Sequence, residues 1–156
     1  MANEGTVAVA GAQKRGDTQA IGRSKGGLNT KIHATVDALG NPIAFYLTEG
    51  QACELDGADM LLPPIKARTV IADKDFDADD RMLKLLHKAG KRVIIPSKSN
   101  RKQQRSYNKE LRKARHLIEN FFAKLKQFRA IATRYDKTAR NFLAAIHLAA
   151  ASIWLI

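Results

Sequence analysis

The sequence predicts an α/β fold, a mixed sheet flanked by helices, from three features. Residues 28–48 hold two alternating, β-branched runs on either side of Leu39-Gly40-Asn41-Pro42, the pattern of an antiparallel hairpin. Residues 68–96 read as strand, helix, strand, a spacing that calls for parallel pairing across a helical crossover. Residues 111–128 repeat apolar side chains with a mixed three- and four-residue step, the signature of an amphipathic helix. At 156 residues and 45% hydrophobic content, the chain is long enough for one domain, 1–156, with its own core.

Taken in order, Thr6–Ala10 (TVAVA) is a candidate short strand, and GAQKRGDTQAIGRSKGG after it reads as a basic, Gly-rich loop. LNTKIHATVD predicts a strand from about Thr30, with His33 as a structural side chain within it; IAFYLT at 43–48 predicts its hairpin partner. Leu55–Pro63 reads as a helix whose first turn holds Asp56. Arg68–Asp73 (RTVIAD) is a short buried strand that is apolar until its last residue. Asp77 suits the N-cap of a helix over Asp79–Ala89, which leaves Asp73 without a capping duty. Gly90 ends that helix, and Arg92–Pro96 is a further buried strand. A basic loop, Ser97–Arg105, leads into the amphipathic helix. The apolar run 142–156 reads as a buried helix of about 15 residues, short of the ~20 a bilayer needs, so no membrane partner is expected.

Charge is regional. Residues 98–156 carry 14 Lys and Arg against 3 Asp and Glu, whereas residues 1–97 are nearly balanced at 13 against 12. Such density along one segment points to a polyanion, most simply nucleic acid. A single cysteine, Cys53, excludes an internal disulfide framework and fits a reducing cytoplasm. The N-terminal residues lack the charged-then-apolar pattern of a secretory signal.

On the amphipathic helix, Leu111, Ala114, Ile118, Phe121, Leu125 and Phe128 form the apolar stripe. Arg112, Arg115, His116, Glu119 and Lys126 cluster on another face. Its lone acid, Glu119, has two readings: an ordinary i,i+4 ion pair with Arg115, or a metal ligand inside a phosphate-binding surface. Asp73, fixed at the end of a buried strand, is a typical site position in α/β folds. Two carboxylates on separate rigid elements beside a cationic surface suit metal-assisted phosphoryl transfer.

Several strings carry a resemblance: AIGRSKGGLNTKIHATVDALG (20–40), ADKDFD (72–77), IIPSKSNRK (94–102) and ARHLIENFFAKLKQFRAIATRYDK (114–137). The last contains Arg115, three residues, Glu119, six residues, Lys126, the end of the signature Y-x2-R-x3-E-x6-K. The chain resembles the catalytic part of bacterial insertion-sequence transposases of the DDE type. That resemblance implies an RNase H-like sheet, Mg²⁺ or Mn²⁺ as cofactor, and DNA strand cleavage and strand transfer at insertion-element ends. It also implies that Asp73 and Glu119 are catalytic metal ligands. Arg112, Arg115 and Lys126, with Lys98, Arg101 and Lys102 of the basic loop, are the expected DNA contacts. The implied partners are element-end and target DNA, and a second copy or an intact transposase.

The chain departs from the pattern in four places. Arg112 stands where the signature has tyrosine, and Asp75 and Phe76 replace a small residue and tyrosine. The first acid, expected in a D-[GS]-T context, has only Glu4-Gly5-Thr6 as its local match. The expectation is an N-terminally truncated or internally deleted transposase whose first strand is short or incomplete and whose first acid is Glu4. The alternative is an inactive fragment that binds DNA or intact transposase.

Overall fold

The computed structural model describes residues 6–10, as backbone alone, and residues 19–155. Six strands, β1 (Thr6–Ala10), β2 (Gly22–Ser24), β3 (Gly27–Val36), β4 (Pro42–Glu49), β5 (Thr69–Ile71) and β6 (Arg92–Ile94), form one mixed sheet. The hairpin is antiparallel, with Ile32 opposite Leu47 and Ala34 opposite Phe45. Its turn is held by Asp37, which accepts hydrogen bonds from the N–H groups of Leu39 and Asn41, and Gly40 supplies the left-handed φ of 89°. The expected parallel pair is β5 with β6, Val70 opposite Val93.

β1 joins the two halves. It runs antiparallel to β3, with Ala10 opposite Ala34, and parallel to β5, with Ala8 opposite Ile71. The first strand is therefore short, as expected, but it completes the centre of the sheet.

Helices are α1 (Leu55–Leu61), α2 (Lys84–Lys88), α3 (Lys109–Lys113), α4 (His116–Leu125), α5 (Arg129–Ala132) and α6 (Ala139–Leu155). Two cores separate them. Ala58, Leu61, Val70, Phe76, Met82 and Leu86 make one, and Val36, Leu47, Phe121, Leu125, Phe142 and Ile146 make the other. Along β4, Ala44 and Tyr46 pack on the first core while Phe45 and Leu47 pack on the second. Alternate side chains of a strand leave opposite faces, so the helices sandwich the sheet.

Several boundaries differ from expectation. The strand at 68–73 shrinks to Thr69–Ile71, because Asp73 bends away and its carboxylate accepts the Lys74 N–H, capping the 3-10 turn Lys74–Phe76. Asp73 thus has the capping duty that the sequence assigned elsewhere. Asp77 is not the N-cap of the following turn, a place taken by Ala78; its side chain is buried and held by arginines. The helix expected over 79–89 opens with one wide π turn, Asp79–Leu83, and only then becomes α2. Arg81 ties that turn to Asp56 and Asp59 of α1, at 2.5 and 2.6 Å.

The long helix expected over 111–128 is two helices. Between α3 and α4 the hydrogen bonds tighten to i→i−3, with Ala114 N–H on Leu111 and Arg115 N–H on Arg112. Ile118, Phe121 and Leu125 are buried as predicted, but Phe128 lies past the end of α4, 40% exposed, as the cap of α5. α6 is not a wholly buried helix either: Phe142, Ile146 and Ala150 are buried while Leu148, Trp154 and Leu155 face solvent. No described helix is long and apolar enough to cross a membrane.

Candidate active site

Asp73 leaves the sheet where β5 ends, and Glu119 comes from the first turn of α4. A single side chain joins them. Arg115 places Nη1 2.9 Å from Asp73 Oδ2 and donates from Nη2 to Glu119 Oε1. The i,i+4 pair of Arg115 and Glu119 is thus present, and the same guanidinium reaches the strand-end aspartate as well. All three side chains are part-exposed. Each pair on its own contributes only ~0.2–1 kcal/mol, so the arrangement is one that other ions can rearrange.

Three clefts meet here, and Glu119 lines every one of them. The acidic cleft, about 230 Å³, is bounded by Glu54, Asp73, Asp75, Arg115 and Phe122. The basic cleft, about 270 Å³, is bounded by Lys109, Arg112, Lys113, Arg115 and His116. The widest, about 770 Å³, runs between β3 and α4 and includes Lys31 and Lys126. Arg112 and Arg115 thus border one cleft with Glu119 and Lys126 another, instead of sharing one face of a single helix. Arg112 also stacks over the Tyr107 ring, 5.8 Å from its centroid.

The basic loop behaves differently. Arg101 Nε lies 2.5 Å from Asp77 Oδ2 and its Nη1 2.7 Å from Asp79, and Arg105 pairs with the other Asp77 oxygen. The Lys98 backbone N–H donates to Asp77 as well. Burial pushes the Asp77 carboxyl up, but the bonds from Arg101, Arg105 and the Lys98 N–H outweigh it and hold it at about 2. Arg101, expected as a DNA contact, is thus partly exposed and paired with Asp77 and Asp79. Lys98 and Lys102 border none of the three clefts; Lys102 is exposed.

A family model for the transposase DDE domain matches residues 5–154. The chain belongs to that family. It is also 38% identical over 129 residues to a Brucella ovis protein described as a transposase for an insertion sequence element, a match that covers 82% of this chain and 99% of that protein. No solved structure matches the chain significantly.

For a DDE transposase domain the relevant cofactor is a divalent metal ion. Among the described residues no three metal-ligating side chains cluster together. Two hard oxygen donors, Asp73 and Glu119, do converge on one cation, with the Arg115 guanidinium standing where positive charge is wanted. The donor chemistry fits Mg²⁺ or Mn²⁺. Glu4, the expected first acid, lies outside the described residues. Glu54, which sequence reasoning passed over, borders the acidic cleft and pairs with Lys31 at 2.6 Å. Nothing in the local sequence marked it, because its place depends on the fold bringing the start of α1 beside α4.

Proposed function

We propose that the chain carries out DNA transposition by Mg²⁺- or Mn²⁺-dependent strand cleavage and strand transfer at insertion-element ends, on an RNase H-like sheet. The observation that carries this reading is the convergence of Asp73 and Glu119, from separate elements, beside a basic cleft. The sheet agrees with it: an antiparallel hairpin, then a central strand, then two parallel strands, in the order β4, β3, β1, β5, β6. The metal, held by Asp73 and Glu119, would activate an attacking hydroxyl and stabilise the leaving oxygen. Arg112, Lys109 and Lys126 would hold the DNA backbone through its phosphates and set its position relative to the two acids.

Glu54, which borders the same cleft as Asp73 and Glu119, is a candidate for the first acid alongside Glu4. The second reading, an inactive family member that binds DNA or an intact transposase, is favoured by the absence of a third converging acid among the described residues.

One assay separates the two: nicking of supercoiled and linear DNA with Mg²⁺ or Mn²⁺, beside Asp73→Asn, Glu119→Gln, Glu54→Gln and Glu4→Gln. The active reading expects metal-dependent nicking that Asp73→Asn and Glu119→Gln abolish. DNA binding without any nicking would establish the inactive reading.

A further inference from the structure

We propose that Arg115 is an internal counter-ion that a divalent cation displaces from Asp73 and Glu119, and that the freed guanidinium then takes a DNA phosphate. Metal binding and DNA binding thereby strengthen each other through one side chain. The inference rests on the reading of Asp73 and Glu119 as the metal-holding pair.

Among the described residues, Arg115 is the one cation that borders both the acidic and the basic cleft. Both ends of its fork are now committed to carboxylates, at Asp73 and at Glu119. A divalent ion taken up by those carboxylates removes the attraction that holds the guanidinium and adds repulsion against it. The nearest alternative for the fork is the basic cleft, where Arg112, Lys109, Lys113 and His116 already favour an anion. A guanidinium suits a phosphate as well as a carboxylate, because its planar fork matches either with two bonds. Its backbone lies in the i→i−3 turn between α3 and α4, where the helix is interrupted. The exchange leaves the carboxylates with metal and the arginine with phosphate, so each ligand removes the other's competitor. Reciprocity then requires that DNA raise metal affinity by the factor by which metal raises DNA affinity.

The test uses the full chain and two readouts that do not depend on cleavage. Free Mn²⁺ is followed by electron paramagnetic resonance, and binding to a short labelled duplex by fluorescence anisotropy at constant ionic strength, with and without Mn²⁺. Wild type is compared with Arg115→Gln, Arg115→Lys and Arg112→Gln, each verified as folded by circular dichroism. Without DNA, Arg115→Gln is expected to bind Mn²⁺ about fivefold to tenfold tighter than wild type, the change that losing two part-exposed ion pairs allows. Arg115→Lys keeps the charge and the weaker Mn²⁺ affinity. The ratio of DNA affinities with and without Mn²⁺ is expected to be at least about threefold higher in wild type and Arg112→Gln than in Arg115→Gln, the smallest difference consistent with coupling of this kind.

Equal Mn²⁺ affinity in wild type and Arg115→Gln, or equal ratios, overturns the counter-ion proposal while leaving Asp73 and Glu119 as the metal pair. Matching behaviour of the Gln and Lys variants overturns it too, since charge is then not the cause. Failure of every protein to bind Mn²⁺, with DNA still bound, overturns the metal-site reading and the counter-ion with it.

Discussion

Arg101 reaches across from the loop after β6 to Asp77, whose side chain is wholly shielded from solvent, at 2.5 Å. Removing Asp77 strands two arginines against each other in a partly buried site. Asp77→Ala is expected to cost about 2–3 kcal/mol, below the range for a fully buried pair because the arginines remain about a quarter to a third exposed. Urea unfolding monitored by circular dichroism measures it. Arg101→Ala is expected to lose stability by a smaller amount and to leave the salt dependence of DNA binding unchanged.

His33 sets an acid limit. Burial, then the charge of Lys31, lowers its pKa to about 3, and its Nε2 lies 2.5 Å from Thr48 Oγ1. In the unfolded chain a histidine titrates near ~6.5. Its contribution to stability is therefore complete above that value and is lost as pH falls from about 6.5 towards 3. At pH 5 the loss is about 2 kcal/mol, one protonation equilibrium over one and a half pH units. Denaturant midpoints across pH 4–8 test this: His33→Gln is expected to flatten the profile between pH 5 and 6.5. An unchanged slope would mean that other groups govern acid unfolding.

Lys126 and Arg112 flank Glu119 from different clefts and make no ion pair among the described residues. Each substitution to alanine is expected to weaken DNA binding across sequences and to reduce the salt slope by about one unit. Anisotropy titrations over a range of salt concentrations provide the slope. A slope identical to wild type removes that residue from the interface.

Arg134 fastens three segments. It donates to Thr30 Oγ1 at 2.5 Å and to the carbonyls of Ala20, Asp136 and Lys137, and its guanidinium lies 5.0 Å from the Phe142 ring centroid. Arg134→Ala is expected to destabilise by about 2–3 kcal/mol, and Arg134→Lys to recover little of it, because a lysine cannot reproduce the planar fork. Thermal melts of both variants check the order.

Where a segment's own periodicity determined its fate, the sequence was legible: the hairpin over β3 and β4, the parallel β5 and β6, and the burial of Ile118, Phe121 and Leu125. Asp73 and Glu119 were legible for a chemical reason, an acid at a strand end and a lone acid on a basic face. Pairings formed by tertiary contact were not. Asp77 looked like an N-cap because it precedes a helix, whereas its partners lie 24 and 28 residues away at Arg101 and Arg105. The same distance effect hid Glu54. The interruption between α3 and α4 escaped notice because Ala114 and Arg115 are good helix formers, and the tightening there follows from packing, not from propensity.

The place of β1 also governs how the sheet assembles. The strand made first sits between partners that are made much later, Ala34–Val36 and Thr69–Ile71. The hairpin closes locally and early, and β5 with β6 spans only a short helical crossover. The middle of the sheet must instead wait for a loop of about sixty residues to close, the slow and costly kind of contact. Until Thr6–Ala10 docks, the two halves share no backbone ladder. Docking of Thr6–Ala10 thereby fixes the surface carrying Asp73 relative to the one carrying Glu119.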